Sequence, residues 1–232
     1  MAGGANKAFL ADPLGFMANN YVIVQYGGNT STNVPIKLDL VEGSAYENNR
    51  DKAAGIDKAN RRNRDWSSNG VNGSTQGVYY LTAHEDKWNR FNSHPITAYW
   101  LAYSRDTVQT CQLGPMAKFC FTAAISGCTV GIGDGAHPKI AHANKQDKVS
   151  GVMQINQPVM DGMINAQLPN AQHVLRKADY GIDAGRIDLS FFGVHNGNRW
   201  EFFTQSSNAG QTQKTDDAVT LTRHGALTRI HP

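Results

Sequence analysis

The chain has 232 residues, 40% of them hydrophobic and 18% charged, with a formal net charge of +3. That length accommodates one domain with a buried core. So mild a charge does not require a nucleic-acid partner, and no apolar run approaches the ~20 residues of a membrane-spanning helix.

The segment Met1–Asn20 lacks a basic stretch followed by a long apolar one, so no conventional secretion signal is expected. Tyr21–Tyr26 reads as a strand. Ile36, Leu38 and Leu40 then alternate with Lys37 and Asp39, the period of a half-buried strand. These two strands are expected to pair as a hairpin. Residues 42–76 turn polar, and a helix is expected around Asp51–Arg62 within a long excursion. Further strands are predicted at Val78–Ala83, Ile96–Tyr103 and Lys118–Ile125. The run Gly131-Ile132-Gly133-Asp134-Gly135 must turn tightly before a strand at Lys139–Ala143.

Between Gln157 and Lys177 the apolar spacing predicts one or two helices, broken at Pro169-Asn170. Ile187–Val194 and Arg199–Gln205 flank an Asn-Gly step and should form a hairpin, and Ala218–Arg223 should be a last strand. Gly is plentiful at 23 residues, which suits many turns. The expected fold is α/β: a single domain, 1–232, on a mixed, largely antiparallel β-sheet or sandwich core flanked by helices.

There are three cysteines, Cys111, Cys120 and Cys128, and an odd count without a signal peptide suits reduced thiols. They lack the close pairs of a structural zinc site, so no metal and no cofactor are expected. His84-Glu85 opens like a zinc-protease helix, but Trp88 stands where a second His is needed. The basic run Arg50–Arg64 reads as a solvated helix face ahead of a nucleic-acid or acidic-protein surface.

Cys128 carries the most information. It follows the small pair Ser126-Gly127, which is poor core material and lets a carbonyl approach the thiol. His142 lies in the following short apolar strand, which a tight loop folds back toward the cysteine. His137, in the loop itself, is the rival base. Thr122, six residues before the cysteine, offers a hydroxyl that could orient an imidazole, although a β-branched residue is also ordinary strand material. Read as structure alone, Cys128 would be an inert core thiol and His142 a satisfied strand residue.

Phe121-Thr122, Ile125-Ser126-Gly127-Cys128, Gly133-Asp134-Gly135 and His142 together resemble the catalytic segment of the Burkholderia lethal factor and cytotoxic necrotizing factor group of glutamine deamidases. The resemblance covers about residues 118–145. Ile125 replaces the Leu of the group's Leu-Ser-Gly-Cys motif, and the segment from Cys128 to His142 is about two residues longer than in the lethal factor. The resemblance implies a Cys128 nucleophile held as thiolate by His142, with Thr122 orienting the ring. It implies a bacterial toxin or effector, made in the bacterial cytoplasm and translocated to the target-cell cytosol. Its expected partner is a host protein substrate, a translation initiation helicase or a Rho-family GTPase. No membrane or specific nucleic acid is expected to bind, and the protein should be a monomer. A cysteine peptidase or transglutaminase using the same pair, and a non-catalytic binding protein, are the alternatives.

Overall fold

The computed structural model describes residues 4–26, 28, 30–46, 65–69, 75–85, 94–180, 187–214, 218–223 and 227–231. The N-terminal part runs α1 (Gly4–Ala11), α2 (Pro13–Asn19), β1 (Asn20–Val24), β2 (Thr32–Glu42), β3 (Asp65–Asn69), β4 (Thr75–Ala83) and β5 (Ile96–Leu101). The middle runs β6 (Val108–Gln112), β7 (Phe119–Thr122), β8 (Thr129–Ile132), β9 (Lys139–Ala143), β10 (Gln146–Val149) and β11 (Val152–Ile155). Then come α3 (Gln157–Gln167), β12 (His173–Leu175), α4 (Lys177–Tyr180), β13 (Ile187–His195), β14 (Trp200–Lys214), β15 (Ala218–Arg223) and β16 (Thr228–His231).

Successive side chains on a strand point to opposite faces, and this alternation sorts the apolar residues of the central strands into two cores. Tyr99 and Leu101 of β5, Cys120 of β7, Phe191 of β13 and Phe202 of β14 enter one core. Trp100, Phe119, Phe121, Phe192 and Phe203, their neighbours in sequence, enter the other. A sheet buried on both faces needs a cover on each. Phe9, Phe16 and Met17 from α1 and α2 pack into the second core. Val130, Ile132 and Ile140 of β8 and β9 fill the first.

The large sheet has the order β1-β4-β2-β5-β7-β13-β14-β15-β3, with β16 beside β14. Because β3 pairs with both β15 and β4, the path returns on itself. A second sheet, β12-β8-β9-β6, lies over the first core. Its outer face carries Ala141 and Ala143, and α3 covers them with Met160, Ile164 and Leu168. The Asn156 side chain caps α3 by accepting from the Val159 amide at 3.1 Å. A Pro in its first turn suits the start, and Pro169 just beyond Leu168 cannot extend it. The helix sits close because β8 presents Gly131 to it. A Cβ there would lie 2.7 Å from the Ile164 Cγ2 and 2.9 Å from the Leu168 Cδ1.

The expected mixed, largely antiparallel core flanked by helices is borne out. Three local expectations are corrected. First, β1 and β2 do not form a hairpin: β4 lies between them, parallel to β1 and antiparallel to β2. Alternation fixes which face of a strand is buried but not which neighbour fills its hydrogen-bonding edge. Second, the strand carrying Thr122 ends there, and Ile125 makes only an isolated bridge to Leu189. Third, the chain after Pro169-Asn170 pairs as β12 with the β8 edge at Val130–Ile132 and is not a second helix. The helix expected at Asp51–Arg62 lies outside the described residues.

Gly131→Val should therefore destabilise the protein by about 1–3 kcal/mol through overpacking against α3. Gly162→Ala, on the same helix with no atom within 4 Å of the added methyl, should be neutral or stabilise by up to ~1 kcal/mol. Urea unfolding of both variants measures the difference.

Candidate active site

Three elements bring the sequence-selected residues together. Cys128 stands at the head of β8, His142 near the end of β9, and Thr122 at the end of β7 in the facing sheet. The β8–β9 register pairs Val130 with His142 and Thr129 with Ala143. Continued by one residue, it sets Cys128 beside Asn144 and diagonal to His142, all on the face that meets the large sheet. Diagonal neighbours sit about 7 Å apart along the backbone, which an imidazole can span. Thr122 shares the face of Cys120 and points back across the sandwich.

The hydroxyl of Thr122 settles the state of the ring. Its Oγ1 donates to the Leu101 carbonyl at 2.8 Å and lies 2.7 Å from His142 Nδ1. A hydroxyl has one hydrogen, so the second contact must be Nδ1–H donating to Oγ1. Nε2 is then the atom with the free lone pair. It is buried and has no hydrogen-bond partner. Burial also lowers the His142 pKa from 6.5 to about 4, so the ring is neutral at pH 7.

Cys128 is 3% exposed, and its sulfur accepts from Asn144 Nδ2 at 3.3 Å. Burial pushes the thiol up from its ordinary range, while the Asn144 side chain and the Ser126 backbone pull it down. The resting pair is thus a thiol and a neutral imidazole with no hydrogen bond between them. Desolvation disfavours both charges, the direction opposite to an imidazolium that holds a thiolate.

The approach to the thiol is tightly built. Gly127 has φ +142°, a conformation side-chain-bearing residues rarely adopt, and Ile155 packs where its Cβ would be. The Gly127 amide donates to the Tyr180 hydroxyl at 3.0 Å, and that hydroxyl donates to the Cys128 carbonyl at 2.7 Å. Tyr103, 38% exposed, lies with its ring centroid 5.8 Å from that of His142 and donates to Asn144 Oδ1 at 3.4 Å.

Other sequence candidates fall elsewhere. His137 and Gly133-Asp134-Gly135 form the far turn of the β8–β9 hairpin, closed by the Gly133 amide on the Lys139 carbonyl at 2.8 Å. Five strand positions separate His137 from His142, about 17 Å along the chain. His137 instead stacks on His195 with centroids 6.0 Å apart. Its turn, with Lys139 and Gln167, lines a cavity of about 300 Å³. His84 Nδ1 sits 2.8 Å from the buried carboxylate of Asp39, which also accepts from Asn6. Cys111 and Cys120 are buried free thiols. Among the described residues no cluster of His, Cys, Asp and Glu could hold a metal, and no helix is long and apolar enough to cross a membrane.

Asn144, Tyr103 and Tyr180 were missed in the sequence. Asn144 was accessible, since it lies two residues after His142 and so on the same strand face. Nothing in the sequence points Tyr180 at Cys128. No family model and no curated protein matches this chain.

The depressed His142 pKa has a thermodynamic consequence. The unfolded chain takes up this proton near pH 6.5 and the folded one only near pH 4, so the associated stability is present above 6.5 and lost as pH falls toward 4. The gap corresponds to on the order of 3 kcal/mol. Urea unfolding at pH 7.5 and pH 4.5 should show a larger acid loss for the native protein than for His142→Gln. Thr122→Val should cost about 1–3 kcal/mol at pH 7.5 by orphaning Nδ1–H, and Thr122→Ser much less.

Proposed function

We propose that the protein is a cysteine-dependent protein glutamine deamidase. One observation carries the reading: a buried imidazole whose Nδ1–H is locked by Thr122 presents a bare Nε2 on the face that holds Cys128. The local resemblance to the deamidase group supports the same chemistry.

In the proposed reaction, the Cys128 sulfur attacks the side-chain carboxamide carbon of a glutamine as its proton passes to His142 Nε2. Neutral partners suit this order, because the ion pair forms only as the carbon–sulfur bond does. The imidazolium then gives its proton to the departing ammonia, leaving a thioester. Nε2 next takes a proton from water, hydroxide adds to the thioester, and glutamate and the thiol are released. Thr122 acts through the ring: its oxygen accepts Nδ1–H throughout and steadies the imidazolium as it forms. Cys128 is 3% exposed, so a glutamine side chain must displace neighbouring groups to reach the thiol.

The substrate in this reading is a protein of a target cell, reached from a producing bacterium by translocation. A translation initiation helicase and a Rho-family GTPase are the substrate classes the resemblance suggests. The near-complete burial of Cys128 favours a second reading, a non-catalytic protein in which thiol and imidazole only fill the sandwich.

The protein and its Cys128→Ser variant should be incubated with eukaryotic lysate, followed by peptide mass spectrometry and an ammonia assay. The deamidase reading expects Cys128-dependent conversion of glutamine to glutamate with ammonia release and no chain cleavage. Amine incorporation would make the enzyme a transglutaminase. No Cys128-dependent change, with both proteins folded, would leave the non-catalytic reading.

A further inference from the structure

We propose that Asn144 is a positioning residue: its carboxamide holds the Cys128 sulfur and stabilises the thiolate, and Tyr103 supports that carboxamide at its Oδ1. The proposal rests on Cys128 being the nucleophile, but its test needs no glutamine substrate.

The geometry carries it. Asn144 follows β9 directly, is 3% exposed, and is anchored by its own amide on the Thr107 carbonyl at 3.0 Å. The extended β8–β9 register puts it beside Cys128, where Nδ2 reaches the sulfur at 3.3 Å. An N–H donor binds an anionic sulfur more strongly than a neutral one. A flipped carboxamide would instead turn its oxygen toward the sulfur and oppose the thiolate. In the present orientation the Tyr103 hydroxyl donates to Oδ1 at 3.4 Å, a second contact that holds the carboxamide in place.

The role follows from what His142 cannot supply. The neutral ring offers a lone pair but no positive charge before the proton moves. A thiolate forming in this desolvated pocket therefore depends on fixed N–H donors. Asn144 is the side chain that provides one.

Among the described residues the surroundings contain few competing charges. The groups facing Cys128 are His142 on β9, Tyr103 after β5 and Tyr180 at the end of α4. Arg105 and Asp106 act on Tyr103, and Asp179 acts on Tyr180, at one remove from the thiol. Lys145, next in sequence, is engaged by Asp106 and Asp147.

The test is the pH dependence of Cys128 alkylation by iodoacetamide in the full-length protein, followed by peptide mapping that separates Cys128 from Cys111 and Cys120. Asn144→Ala should move the alkylation midpoint upward by about one unit, so that labelling at pH 7 slows about tenfold. Asn144→Asp, of the same size but without the N–H, should move it further. Tyr103→Phe should move it the same way by less. Asn144→Gln should restore part of the native profile. A residue that merely packs would do the opposite when removed: the thiol would loosen, label faster and titrate at a lower, ordinary midpoint. An unchanged or lowered midpoint in both Asn144→Asp and Tyr103→Phe overturns the proposal, even if Asn144→Ala fails to fold. Shifted midpoints in a protein that deamidates nothing would uphold the role of Asn144 while removing the deamidase reading.

Discussion

The hydrogen bond between Thr122 and His142 joins the two sheets at the point where the chemistry-bearing side chains meet. Thr122 belongs to the large sheet and His142 to the small one, and the 2.7 Å contact crosses the interior between them. Because the Thr122 hydrogen is committed to the Leu101 carbonyl, the threonine can only accept from the ring. That one constraint fixes the tautomer, orients the imidazole and leaves Nε2 bare. A buried Nδ1–H without an acceptor would cost about 1–3 kcal/mol, so packing of the sandwich and poise of the ring depend on the same contact.

The remaining features follow from placing polar groups in so dry a layer. Desolvation pushes the thiol toward its protonated form and the imidazole toward its neutral form, so the pair carries no charge at rest. Charge separation can then be supported only by dipoles that are already in place. Asn144 on the sulfur, Thr122 on the ring and Tyr180 on the Gly127-Cys128 backbone are such dipoles. The layered fold supplies their rigidity. The sheet that carries Cys128 and His142 is packed between α3 on one side and the large sheet on the other, and Gly131 lets the helix approach closely.

The parts of this arrangement legible in the sequence are those set by local pattern. Alternation placed the strand around Ile36–Leu40, short apolar runs placed those at Val78–Ala83 and Lys139–Ala143, and the Asn-Gly step placed the β13–β14 hairpin. The short loop between Cys128 and His142 brought them onto one hairpin, and period two along β9 accounts for Asn144. What was not legible depends on distant pairing. The insertion of β4 between β1 and β2, the docking of β12 on the β8 edge and the approach of Tyr180 to Cys128 join residues far apart in sequence. Equivalent hydrogen-bonding edges are chosen by the packing of the whole domain. Burial was likewise invisible: Ser126-Gly127 suggested an open thiol, yet Cys128 is 3% exposed. That burial also sets the direction of both pKa shifts, the thiol upward and the imidazole downward.

The central claim is that His142 is neutral, protonated on Nδ1 and bare on Nε2, and the most direct test is long-range proton–nitrogen correlation spectroscopy of the histidine rings. At pH 7 the His142 signals should show a protonated Nδ1 and an unprotonated Nε2, and the ring should titrate far below 6.5, near 4. Loss of Nδ1 protonation as the dominant tautomer in Thr122→Val would tie that state to the inter-sheet bond. An Nε2-protonated ring, or an imidazolium at pH 7 in the native protein, would show that Thr122 does not set the state of the ring.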